Sequence, residues 1–131
     1  MGFLESLLWL TLNVYHEARS EPEIGQLAVA HVTLNRAMED RKSVADVVLA
    51  PYQFSWTFQK DSYVPLEMNP LGESLRVALK AMTTPDFTDG STFYHHVRVD
   101  PHWAAHKIFT GQYGVHKFYR RPESPLSVSV F

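Results

Sequence analysis

At 131 residues, with 45% hydrophobic and 13% aromatic side chains, the chain has the size and content of one domain with an ordinary core, which excludes an intrinsically disordered segment. A net charge of −2 with histidines neutral, and no basic run longer than Arg120-Arg121, leaves no electrostatic footprint for a nucleic-acid binder. The absence of cysteine removes disulfides, thiol nucleophiles and Cys-based zinc sites together, so the fold must stand on packing.

The first predicted element is a helix in which Leu4, Leu7, Leu8, Thr11, Leu12 and Tyr15 fall at i, i+3, i+4 spacing on one stripe. Phe3, Leu10 and Val14 occupy a second side, so the helix is expected to be buried on two faces with Glu17 between them. No Lys or Arg precedes the apolar run over residues 3–12 and Glu5 interrupts it, which reads as part of the domain rather than a signal peptide. No segment approaches the ~20 apolar residues of a bilayer span, so no membrane insertion is expected.

Burial penalises the ionised form of a carboxyl group, which lets a glutamate stay protonated near neutral pH and give its proton to a leaving group. Glu17 is therefore a candidate acid. The alternative is a structural ion pair with Arg19 or a neighbouring lysine.

Ser20-Glu21-Pro22-Glu23 has the form of a capping box and predicts a second helix running to about Met38. Ile24, Leu27, Ala28, Val32 and Leu34 are expected to face inward, with the small Ala28 and Ala30 allowing close approach to the first helix. Ser43-Val44-Ala45-Asp46 repeats the cap signal ahead of a short helix through Leu49, which Pro51 stops. Residues 51–70 read as a loop rich in aromatic and amide side chains, suited either to stacking on sugar rings or to anchoring itself.

A fourth helix is expected from Leu71 to Met82, with Leu75, Leu79 and Met82 at helical spacing. Asp89-Gly90 then signals a turn, and Thr92-Phe93-Tyr94, Val97-Arg98-Val99, Lys117-Phe118-Tyr119 and Val128-Ser129-Val130 read as short strands. With no internal repeat or linker, residues 1–131 form a single domain of the α+β class, mainly helical, with a small irregular sheet.

Five of the seven histidines lie between residues 95 and 116, and His102 and His106 are spaced for one helix face. The run His16-Glu17-Ala18-Arg19-Ser20 begins like the zinc-protease pattern H-E-x-x-H but carries Ser20 at the second ligand position. A catalytic metal is therefore not expected, and a zinc-dependent amidase using His95, His102, His106 or His116 stands only as an alternative. His116, at the mouth of a turn entering a strand, could orient substrate or be structural. No nucleophile elbow, P-loop or Rossmann glycine pattern is present.

The segment Tyr15-His16-Glu17-Ala18-Arg19-Ser20-Glu21-Pro22, followed by Gly25-Gln26-Leu27-Ala28-Val29-Ala30 and Leu34-Asn35-Arg36, resembles the SleB-type cell-wall hydrolase family. The resemblance continues at Gln53-Phe54-Ser55-Trp56, at Phe93-Tyr94-His95 and at Gly114-Val115-His116-Lys117-Phe118-Tyr119-Arg120, nearly the whole chain. It implies a lysozyme-like fold and cleavage of peptidoglycan glycan strands between N-acetylmuramic acid and N-acetylglucosamine, with Glu17 at the position of the family's catalytic glutamate. Ser20 departs from the family's usual Gly. Tyr15, Gln53, Ser55, Tyr94 and His116 match family blocks and have the donor or aromatic character that glycan positioning needs, while Arg19 and Asn35 are expected to brace the helix corner.

A second carboxylate is not marked by any motif, although Asp61, Asp86 and Asp89 are available. A glycosidase that hydrolyses its substrate needs one, whereas a lytic transglycosylase does not, because the C6 hydroxyl of muramic acid attacks its own anomeric carbon. Transglycosylation with one glutamate as acid and then base is thus the expected chemistry, with hydrolysis or a non-catalytic peptidoglycan-binding module as alternatives and no cofactor. A monomer is assumed. The start at Met1 without an export signal fits a phage lysis or virion-borne enzyme, and an excised catalytic domain would look the same.

Overall fold

The computed structural model of the protein describes residues 2–50, 54–58 and 67–122. In chain order these form α1 (Phe3–Ala18), α2 (Glu23–Asp40), α3 (Val44–Leu49), a 3-10 turn at Ser55–Phe58, α4 (Met68–Thr83), β1 (Phe93–His96), another 3-10 turn at His102–His106, β2 (Ile108–Tyr113) and β3 (His116–Arg120). This is the expected mainly helical α+β arrangement. The strands make an antiparallel sheet in the order β1-β3-β2.

The apolar girth of α1 is fully buried only from Leu10 onward, with Leu7 and Trp9 packed partly buried against the core ahead of it. Leu10, Leu12, Val14 and Tyr15 are buried, but Phe3, Leu4 and Leu8 lie in exposed opening turns, against the expectation that the whole stripe faces the core. α2, α3 and α4 all pack on α1 and enclose it from Leu10 onward. At its centre Asn13 is fully buried with both polar atoms engaged: its Nδ2 donates to Thr33 Oγ1 at 3.2 Å and its Oδ1 accepts from Trp56 Nε1 at 2.9 Å. A buried amide is tolerated when paired in this way, and here it pins the Ser55–Phe58 turn to the helices.

α2 begins at Glu23, two residues later than a Ser20 cap with Pro22 in the first turn requires, and the predicted capping box is not formed. Pro22 is its N-cap and no side chain caps it, because Ser20 lies too far upstream and the carboxylate of Glu21 is engaged by the sheet. Ile24 is exposed, while Leu27, Ala28, Val29, Ala30 and Val32 are buried. The helix ends where Arg41 takes a left-handed conformation (φ 54°) and Lys42 N donates to Ala37 O at 2.9 Å. The Ser43 cap is realised, its Oγ accepting from Asp46 N at 3.0 Å.

α4 starts at Met68, earlier than the Leu71 expected, with Pro70 accommodated in its first turn. Its inward face is Ser74, Val77, Ala78 and Ala81, whereas Leu75 and Leu79 are exposed. Small residues let α4 approach α1 and α2 closely, so the leucines are left outside.

In the sheet, Val97-Arg98-Val99 is a turn and not a strand: Arg98 N donates to His96 Nδ1 at 3.0 Å and Val99 N to His96 O at 3.0 Å, folding the chain back. β2 was not predicted, and its pairing with β3 is irregular between Phe109 and Gly111. Asp89 and Gly90 both have positive φ, as the turn signal required. The predicted strand at Val128-Ser129-Val130 lies outside the described residues. A small core of Ala18, Ala28, Val29, Val32 and Phe118 fastens the sheet to the corner between α1 and α2, next to Glu17.

Candidate active site

Glu17 occupies the last turn of α1, part-buried where the helix corner meets β1. Its partner is the hydroxyl of Tyr94, which donates to Glu17 Oε1 at 2.5 Å. β1 supplies Tyr94 opposite Phe118 of β3, and the Tyr94 ring packs on Phe118 (5.5 Å between centroids) and edge-on to His116 (5.1 Å). Burial pushes the Glu17 carboxyl above its ordinary range, and the Tyr94 hydrogen bond and the charge of Arg36 offset this only in part. The ion pair with Arg19 is not formed, since Arg19 Nε binds Glu67 Oε1 at 2.7 Å.

Arg36 was not singled out by sequence, although it stands in the Leu34-Asn35-Arg36 block. Its Nε donates to Thr92 O at 2.5 Å and its guanidinium lies 5.3 Å from the Phe93 ring, which brings a cation into electrostatic range of both Glu17 and Tyr94. Burial of the Tyr94 phenol, together with the adjacent Glu17, raises its pKa well above the ordinary value, so it remains a donor across the working pH range.

The other expected site residues are placed differently. Tyr15 is 3% exposed, its hydroxyl accepting from Glu67 N at 3.1 Å beneath the start of α4, with Arg19 over its ring at 4.8 Å. His116 is buried beside Tyr94, with Nδ1 3.5 Å from Glu21 Oε1. Burial lowers the His116 pKa, the Glu21 charge opposing this and His96 and His95 adding to it. Ser55 opens the 3-10 turn that carries Trp56, while Gln53 lies outside the described residues. Trp56 stacks on His16 at 4.5 Å, one position from Glu17.

Of the candidate second carboxylates, Asp86 is committed to its own loop, accepting from Thr88 N (2.8 Å), Thr88 Oγ1 (2.6 Å) and Gly90 N (2.8 Å). Burial would raise its pKa, but these bonds outweigh that and hold it below the ordinary range. Asn35 adds a weaker bond to Asp86 and donates to Ser91 O at 2.9 Å, bracing this loop rather than the helix corner expected for it. Asp89 is paired with Arg120, and Asp61 lies outside the described residues. A carboxylate not singled out by sequence, Glu21, is buried against the β2–β3 turn. His102 and His106 sit on an exposed 3-10 turn, and both nitrogens of His95 are engaged, by His96 O at 2.7 Å and the Tyr119 hydroxyl at 2.9 Å. Among the described residues no three His, Asp or Glu side chains are grouped to hold a metal ion.

This fold is that of the SleB catalytic domains. The catalytic domain of the germination-specific lytic transglycosylase SleB from Bacillus anthracis superposes with a TM-score of 0.75 at 26% identity, covering 88% of this chain and 93% of that one. The SleB catalytic domain from Bacillus cereus gives 0.76 at 26% identity, covering 91% and 93%. Residues 20–119 match the cell wall hydrolase family, and the chain belongs to that family. A spore cortex-lytic enzyme from Halalkalibacterium halodurans is 36% identical over 83 residues, 62% of this chain but 24% of that protein, so the chain spans about a quarter of the length of this relative. These relatives are bacterial and add nothing to the expectation of a phage source. Among the described residues no helix is long and apolar enough to cross a membrane.

Proposed function

We propose that this domain is a lytic transglycosylase that cleaves peptidoglycan glycan strands between N-acetylmuramic acid and N-acetylglucosamine, with Glu17 as the single general acid and base. The observation that carries this reading is the protonation-favouring environment of Glu17, combined with the Tyr94 hydroxyl on its Oε1. Protonated Glu17 gives its proton to the glycosidic oxygen as the bond to the muramic anomeric carbon breaks. The muramic C6 hydroxyl then bonds to that carbon and returns its proton to Glu17, leaving a 1,6-anhydro end. In the interval between the two transfers Glu17 is an anion, and the Tyr94 hydrogen bond stabilises it.

The engagement of Asp86 and Asp89 in loop contacts supports chemistry with one carboxylate. Tyr15 and His116, both buried, are assigned to shaping the site, and Gln53 and Ser55, through their family block, to hydrogen bonding with the acetamido groups of the glycan. Mass spectrometry of the soluble products from purified peptidoglycan tests the proposal, with Glu17→Gln as control. Fragments ending in 1,6-anhydromuramic acid are expected from the wild type, and the variant should be at least ~100-fold slower while remaining folded. Reducing muramic ends would mean hydrolysis, and free stem peptides would mean an amidase.

A further inference from the structure

Glu21 is a buried carboxylate that this reaction scheme leaves without a task. Its side chain is 8% exposed, with Oε1 accepting from Val115 N at 2.9 Å and lying 3.5 Å from His116 Nδ1. The slot that holds it is shaped by two glycines. A Cβ on Gly25 would stand 3.1 Å from Glu21 Oε1, and one on Gly114, which has a φ of +62°, would overlap that oxygen outright. The backbone of Glu21 is fixed as well, its N donating to Ala18 O at 2.9 Å and its O accepting from Gln26 Nε2 at 2.9 Å.

A tether between the helix corner and the β2–β3 turn does not call for a charge, because burying a carboxylate costs more than burying a neutral acceptor that makes the same bond. What the carboxylate adds is an oxygen 3.5 Å from His116 Nδ1, a buried ring atom that makes no hydrogen bond of its own. The His116 ring stands edge-on to Tyr94 at 5.1 Å, and the Tyr94 hydroxyl holds Glu17. Glu17 and Glu21 thus flank the same helix corner, Glu17 bonded to Tyr94 and Glu21 lying against His116, the two members of one packed pair of sheet residues.

We propose that Glu21 is a positioning residue for the cleavage reaction, orienting the His116 ring against which Tyr94 packs and thereby aiming the Tyr94 hydroxyl at Glu17. This rests on Glu17 being the proton donor. A misplacement of about 1 Å at such a contact costs on the order of 100-fold in rate, so the effect is large enough to read.

The test is a double-mutant cycle of Glu21→Ala with Tyr94→Phe, measured as release of anhydromuramic fragments, with folding checked by circular dichroism. Glu21→Ala should lower kcat by about 100-fold with KM changed less than ~2-fold, and the double variant should be no slower than the slower single one, because coupled residues are not additive. Glu21→Gln keeps the side-chain shape and an oxygen beside both Val115 N and His116 Nδ1, and should recover at least ~10-fold of the loss. Should Glu21→Ala not fold, His116→Phe combined with Tyr94→Phe completes the cycle and must show the same non-additivity. Additive losses, or a loss carried by KM, overturn the role assigned to Glu21 while leaving transglycosylation intact. A wild type that releases no glycan fragments overturns the function proposed above, and this role with it.

Discussion

Two opposing influences set the protonation of Glu17. Its enclosure favours the neutral acid, while the Tyr94 hydroxyl and the Arg36 guanidinium favour the anion. A group that must give a proton and take one back benefits from this balance, because an environment strongly favouring either form would stall the other transfer. Tyr94→Phe removes one of the two influences favouring the anion, so the Glu17 pKa rises further. The limb on which activity falls as Glu17 ionises should then move to higher pH, and kcat should drop by about 10-fold or more as the anionic intermediate state loses its hydrogen bond. A pH–rate profile of the variant checks this, and an unmoved limb would separate Tyr94 from the protonation of Glu17.

At the level of elements, the site depends on how closely the β2–β3 turn can approach the α1–α2 corner. Gly114 is the contact point. Gly114→Ala should cost about 1 kcal/mol or more from its positive φ alone, and it must displace the Glu21 carboxylate besides. Denaturant unfolding measures the first effect and turnover the second. Ser43→Ala, distant from this junction, should cost about 1 kcal/mol by loss of the α3 cap and leave kcat unchanged. The helices were legible in the sequence because period and caps are local signals, which is why α1, α2 and α3 were read nearly to their ends. The inner face of α4 was not, since close packing selects Ser74 and Ala78 over Leu75 and Leu79, and periodicity weighted by hydrophobicity points the other way. β2 is less legible because Gly111 interrupts the run Ile108–Tyr113, at the place where its pairing with β3 slips. Glu17 was legible as a partly buried acid and through its family block, whereas Glu21 looked like part of a helix cap. Only the tertiary position of Val115 shows what Glu21 holds.

Across the whole molecule, a carboxyl whose pKa is raised by folding weakens the native state as pH increases. The folded form binds the proton more tightly than the unfolded form, so stability falls from the unfolded pKa of about 4.3 upward until the folded pKa is passed. Glu17→Gln keeps the shape and removes the titration. The variant should therefore melt at a higher temperature than the wild type near neutral pH, and the difference should shrink toward pH 4; a constant difference would place its origin elsewhere.

The Tyr94–Glu17 bond also joins residues 77 positions apart. Contacts of such separation close late, after local helices have formed, because the intervening chain must first give up its freedom. The helical part of the chain can thus acquire its shape while its acid still lacks the phenol that steadies it. Activity should therefore return later in refolding than the helical circular dichroism signal, and simultaneous return of the two would place the Tyr94–Glu17 contact early.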